Sequence, residues 1–135
     1  MSNRPWRILV ADDDPTAALL FPAALAGGEF ELTLVDNGLD ALAAFRRQAF
    51  DMALLDVEMP GLDGMAVCAA IRQSHGDAFP VLLVTGRHDA EFLARAQALA
   101  AGHLGKPVAW AALASMLRRL IAPAARPALA QRPFA

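Results

Sequence analysis

The sequence is short of several things, and each shortage removes a class of protein. It has one cysteine, Cys68, in 135 residues, so no intrachain disulfide can form and a reducing compartment suits it. It has no long apolar run: the longest uncharged stretch, Pro15 to Gly28, is broken by Pro22 and by Gly27 and Gly28. That falls short of the roughly 20 residues a membrane span needs. No secretory leader is expected, because Arg4, Arg7 and Asp12 interrupt the N-terminal segment. A cytoplasmic location follows as the expectation. There is no surplus of positive charge either. Twelve Lys and Arg stand against 14 Asp and Glu, and a net charge of −2 argues against a broad nucleic-acid footprint. What remains is 56% hydrophobic and 19% charged, which is a folding chain rather than a disordered one, and its length suits one domain.

Short apolar runs alternate with longer segments of helical character. Arg7 to Ala11, Phe30 to Val35, Met52 to Asp56 and Pro80 to Thr85 read as strands, and "GHLGKP" holds a short fifth. Most are continuously apolar, as strands covered on both faces must be; Phe30 to Val35 alternates and belongs nearer an edge. Asp14, Asn37, Asp63 and Asp89 each precede a helical segment and can cap it, with Pro15 at the first position of the first helix. Pro22 falls inside that helix and predicts a kink or an early end. The inward faces are expected to carry Leu39, Leu42 and Phe45; Val67, Cys68 and Ile71; Phe92, Leu93 and Ala96; and Trp110, Leu113, Leu117, Leu120 and Ile121. Five βα units with right-handed crossovers predict an α/β fold, a parallel sheet with helices on both faces. Residues 1–121 would form this domain. Residues 122–135, "APAARPALAQRPFA", read as an Ala/Pro-rich tail or linker.

Function in an open α/β sheet gathers at the carboxyl ends of the strands. The first strand ends in Asp12, Asp13 and Asp14, the third in Asp56, the fourth in Thr85 and the fifth in Lys106. Carboxylates crowded at one edge repel unless a cation intervenes. Mg²⁺, a hard ion that takes oxygen ligands and keeps several waters, fits two carboxylates and a carbonyl. Lys106 could pair with Asp56 or hold a phosphoryl oxygen, Thr85 could donate to another, and a carboxylate can itself attack to form an acyl phosphate.

With these residues in order, the chain from Arg7 to Ile121 resembles the receiver domain of two-component response regulators. The resemblance implies a flavodoxin-like sheet of order 2-1-3-4-5. "ILVADDDP" is similar to the acidic-pair motif and implies metal-binding roles for Asp12 and Asp13. "LLDVEMPGLDG" is similar to the phosphoacceptor strand and its loop, implying Asp56 as nucleophile and the Glu58 backbone carbonyl as a further metal ligand. "LLVTG" implies Thr85 as the switch hydroxyl, and "HLGKP" implies Lys106 followed by a cis bond to Pro107. The cofactor implied is Mg²⁺ or Mn²⁺. The partners implied are a histidine kinase or histidine phosphotransfer protein as donor, and a downstream protein or fused output domain on the face of helix 4, strand 5 and helix 5. Phosphorylation and dephosphorylation would be self-catalysed, without nucleic acid or membrane as direct partner, and a homodimer is compatible with the family.

Three positions set this chain apart. His103 stands three before the lysine, where the family carries Tyr or Phe as a switch ring. Glu58 and Arg87 stand two after the nucleophile and two after Thr85, where opposite charges could pair over the phosphoryl group and slow its hydrolysis. Other readings fit less well. An aspartate-nucleophile phosphohydrolase would place two aspartates on an early strand and needs a cap. A dinucleotide binder would show GxGxxG after the first strand. A receiver-like module that signals without phosphate would not need the full acidic pair, Thr85 and Lys106. A receiver portion of a larger cyclic-di-GMP cyclase or hybrid histidine kinase remains compatible with "GKPVAWAALASMLRRLI".

Overall fold

The computed structural model describes residues 4–121; the expected Ala/Pro-rich tail lies outside them. The elements alternate: β1 Trp6–Ala11, α1 Pro15–Ala24, β2 Phe30–Val35, α2 Gly38–Arg47, β3 Met52–Asp56, α3 Gly64–His75, β4 Val81–Thr85, α4 Ala90–Ala98, β5 Gly102–Gly105 and α5 Trp110–Ile121. The five strands are parallel, in the order β2-β1-β3-β4-β5. This is the expected sheet. No helix among the described residues is long and apolar enough to cross a membrane.

Burial follows from position in the sheet. Every residue of β3 and β4 is buried, while β2 and β5 lie at the edges and alternate or open to solvent. Side chains along a strand point to opposite faces, so the core is split in two. Leu9, Ala53, Leu55 and Leu83 face α2, α3 and α4, where Ala44, Phe45, Val67, Cys68, Ile71 and Phe92 meet them. Ile8, Val10, Met52, Leu54 and Val84 face α1 and α5, where Phe21, Leu113 and Leu117 meet them. Cys68 is a core residue, and burial pushes its thiol up.

The helix starts are where the capping residues set them. Asp14 accepts from the Thr16 N–H at 2.9 Å, Asn37 from Asp40 at 2.8 Å, Asp63 from Ala66 at 2.9 Å and Asp89 from Phe92 at 3.1 Å. Each such cap is worth about 1 kcal/mol. α1 continues two residues past Pro22 and ends at Ala24. Pro22 lies in the last turn, where its missing N–H costs one hydrogen bond, and the Leu25 N–H still reaches the Phe21 carbonyl at 3.1 Å. Leu39, Leu93 and Leu120 do not face the core; they are 66%, 37% and 41% exposed. The buried seams are instead Gly38, Ala41, Ala44 and Phe45 in α2, Phe92 and Ala96 in α4, and Leu113, Leu117 and Ile121 in α5. One helical step of about 100° carries each of the three leucines off its seam.

Two glycines set how closely the β3–α3 loop can pack. A Cβ on Gly64 would meet the Asp56 carbonyl oxygen at 2.3 Å, and one on Gly38 would meet the Leu62 carbonyl oxygen at 1.9 Å. The start of α3 therefore rests directly on the backbone of Asp56. The start of α2 in turn clamps the loop that joins them.

Candidate functional site

Because β1 and β3 are adjacent in the sheet, their carboxyl ends put Asp12, Asp13 and Asp56 side by side. One carboxylate oxygen from each lies within 4.8 Å of the others. Asp12 and Asp56 are buried, and Asp13 is exposed. β4 adds Thr85, which is also buried. β5 pairs with it so that the Lys106 N–H donates to the Thr85 carbonyl at 2.9 Å, delivering Lys106 to the same edge. The Lys106–Pro107 peptide is cis, as the resemblance implies. Lys106 is also the only lysine in the sequence.

Lys106 Nζ donates to Asp56 Oδ1 at 3.1 Å, and the Glu58 N–H reaches the same oxygen at 3.3 Å. Asp56 Oδ2 is left without a hydrogen bond among the described residues. Asp12 Oδ1 accepts from the Asp14 N–H at 2.9 Å, which fixes its carboxylate at the turn into α1. The Glu58 side chain is exposed, and its carbonyl accepts no hydrogen bond among the described residues. Thr85 Oγ1 accepts from the Arg87 N–H at 2.9 Å, so its own proton remains to be donated. A cavity of about 210 Å³ opens beside the cluster between Asp12, Lys106, Pro107, Trp110 and Leu20. Trp110 packs edge-on against Phe21, 4.9 Å between ring centres, which holds one wall of that cavity.

The charges are unevenly matched. Burial pushes the Asp56 carboxyl up to about 6; the Lys106 hydrogen bond pulls it down, and the Asp12 carboxylate pushes it up again. Burial alone would lower the Lys106 amine, but the hydrogen bond to Asp56 and the charges of Asp56, Asp12 and Glu58 more than offset it, and the amine is raised. One ammonium thus faces three carboxylates, two of them desolvated. Such a cluster of hard oxygen donors fits a hard divalent cation, which would relieve the repulsion that Lys106 only partly offsets.

The pairing that Glu58 and Arg87 could make is not formed. Arg87 instead holds Asp89 through two hydrogen bonds of 3.0 Å, and its guanidinium lies 5.4 Å from the centre of the Phe92 ring. Asp89 is two residues away on the same turn, so a planar fork reaches it at little conformational cost, whereas Glu58 lies on a separate loop. Arg87 is raised and the Asp89 carboxyl lowered to about 2, each chiefly by their mutual hydrogen bonds. The Arg-x-Asp spacing was the available signal, masked by the second role of Asp89 as the α4 cap. His103 is exposed on β5 and meets Phe92 edge to face at 6.2 Å. Arg87, Phe92 and His103 therefore form one stack over the α4–β5 surface.

The family model described as the response regulator receiver domain matches residues 8–118. The chain belongs to the response regulator receiver family. Curated relatives of this receiver include the sensor histidine kinase GacS of Pseudomonas protegens, 35% identical over 122 residues, 87% of this chain and 13% of that protein. The response regulator MprA of a Mycobacterium species is 36% identical over 118 residues, 87% of this chain and 51% of that protein. The DNA-binding response regulator MtrA of Mycolicibacterium smegmatis is 37% identical over 89 residues, 66% of this chain and 38% of that protein. The receiver thus spans about half or less of these relatives. Among solved structures, the Vibrio cholerae chemotaxis protein CheY4 superposes with a TM-score of 0.78 at 28% identity, covering 86% of this chain and 98% of that one. The receiver of a histidine kinase from Syntrophus aciditrophicus gives 0.79 at 28% identity, over 90% and 93% of the two chains.

Proposed function

We propose that the chain is a phosphoacceptor: a histidine kinase or histidine phosphotransfer protein donates a phosphoryl group to Asp56, and the modified receiver changes how it binds a partner. The observation that carries this is the approach of Lys106 Nζ to one oxygen of a buried aspartate that stands within the acid cluster. Asp56 Oδ2 attacks the phosphorus, the bond from phosphorus to the donor nitrogen breaks, and the imidazole leaves. Lys106 holds the carboxylate before the reaction, and afterwards it is placed to pair with a phosphoryl oxygen. The Thr85 hydroxyl donates to another. Asp12, Asp13, Asp56 and the Glu58 carbonyl would hold Mg²⁺ or Mn²⁺, whose positive charge neutralises the phosphoryl oxygens. Catalysis here is positioning plus charge neutralisation, and the chain modifies and unmodifies itself rather than turning over a separate substrate.

Drawing Thr85 Oγ1 to the phosphoryl group would cost it the Arg87 N–H. The change would pass into the Arg87–Phe92–His103 stack, with His103 in the switch position. The face of α4, β5 and α5 is then the output surface, for a separate protein or a fused domain in a cytoplasmic pathway. The matches to a sensor kinase and to DNA-binding regulators, each far longer than this receiver, favour a role inside a longer protein as the second reading. Phosphoramidate with Mg²⁺ should load the chain with phosphate that hydroxylamine releases, as an acyl phosphate requires. EDTA or Asp13→Ala should prevent loading. Hydroxylamine-resistant phosphate, or loading that survives EDTA, would contradict the proposal.

A further inference from the structure

At the other end of the sheet, the C-terminal ends of α2 and α3 border a cavity of about 590 Å³. That volume lies within the range of small-molecule sites. Its lining contains no carboxylate, in a chain whose net charge is −2. Arg46 and Arg47 line it, and neither has a hydrogen-bond or ion-pair partner among the described residues. Arg7 is committed to Gln48 and Glu31, Arg72 to backbone carbonyls, Arg87 to Asp89 and Arg118 to Glu29, whereas Arg95 and Arg119 are unpartnered among the described residues as Arg46 and Arg47 are; what sets the latter apart is that both line one carboxylate-free cavity.

Two neighbouring side chains leave nitrogen atoms unpartnered. Gln48 Oε1 is taken by the Arg7 guanidinium, so the amide NH₂ is the free end of that side chain. Ser74 Oγ lies 2.8 Å from His75 Nδ1, which leaves Nε2 as the ring nitrogen without a partner. The His75 ring is fixed by Phe45, 4.7 Å away and edge to face. Leu42 and Phe45 form an apolar side to the same cavity. The C-terminal ends of two helices contribute about half a negative charge each, which two guanidiniums offset with about one positive charge to spare.

We propose that this cleft is a second ligand site, for a phosphate monoester with an apolar or planar body. The guanidiniums and the Gln48 amide would hold the phosphate, the His75 ring would lie beside it, and Leu42 and Phe45 would hold the body. The site is remote from Asp56 and does not depend on phosphoacceptor chemistry. AMP, phenyl phosphate and inorganic phosphate, titrated in EDTA while backbone amide shifts are followed, test it. Saturable shifts are expected at Arg46, Arg47, Gln48 and His75, with both organic phosphates tighter than inorganic phosphate. The double variant Arg46→Gln/Arg47→Gln should keep its melting temperature and lose at least about tenfold in affinity. Shifts that stay linear into the millimolar range, that centre on Lys106, or that survive the double variant would overturn the site. Inorganic phosphate binding as tightly as the esters would overturn the apolar half of it.

Discussion

Asp56 is held between opposing influences, and the balance can be measured. Burial raises its carboxyl to about 6, so in metal-free protein the folded chain keeps a proton that the unfolded chain has already lost. This group's contribution to stability is therefore full below the ordinary carboxylate range. It is lost as pH rises through about 6. Asp56→Asn cannot ionise and escapes the loss. In EDTA, and above the raised value, the variant should be the more stable by up to about 3 kcal/mol, a net figure that already includes the Lys106 bond. The advantage should shrink as pH falls. Chemical denaturation across pH reads this, and a difference constant with pH would contradict it. Asp56 itself was legible because an apolar run ending in an acid is conspicuous. The partner of Arg87 was not, since the choice between Glu58 and Asp89 depends on which loop lies within reach.

At the scale of elements, the site depends on backbone contacts that leave little trace in residue type. α3 begins against the Asp56 carbonyl, and only a glycine fits there. Gly64→Ala should cost about 1–3 kcal/mol and slow phosphorylation, because the loop must shift the strand end that carries Asp56. Gly105→Ala, whose Cβ would meet nothing within 4 Å, is the control that should leave stability nearly unchanged. Thermal unfolding of both variants checks this, and equal losses would refute it.

Arg72 is the second such device. Its side chain, 7% exposed, donates to the carbonyls of Leu99 at 2.6 Å, Phe79 at 2.7 Å, Gly76 at 2.9 Å and Ala100 at 3.0 Å. It ties the end of α3 to the entry of β4 and the end of α4. Arg72→Ala should cost about 2–3 kcal/mol, and Arg72→Lys should recover little because one ammonium cannot reproduce the fork. Full recovery by lysine in urea unfolding would show that charge, not geometry, matters. Nothing in the sequence marks these acceptors, which are all backbone atoms. Leu39 and Leu93 were misplaced for a related reason: small residues such as Ala41, Ala44 and Ala96 mark the buried seams there, while the larger leucines sit a helical step away; Leu120 lies one step off a seam that is itself large, Leu113, Leu117 and Ile121.

At the scale of the molecule, the topology makes the chemistry. Strand order β2-β1-β3-β4-β5 brings together residues as distant in sequence as Asp12 and Lys106, and every one of them stands at a carboxyl end. That much could be read beforehand, because four of the five strands each lead into a polar residue, and the parallel order implied by the family resemblance fixes which ends coincide. This edge is proposed to make Asp56 the phosphoacceptor. Intact-mass measurement after incubation with Mg²⁺ and acetyl phosphate tests it most directly. The wild-type chain should gain a single phosphoryl group and Asp56→Asn none. No gain in the wild type, or a gain that persists in Asp56→Asn, would contradict it.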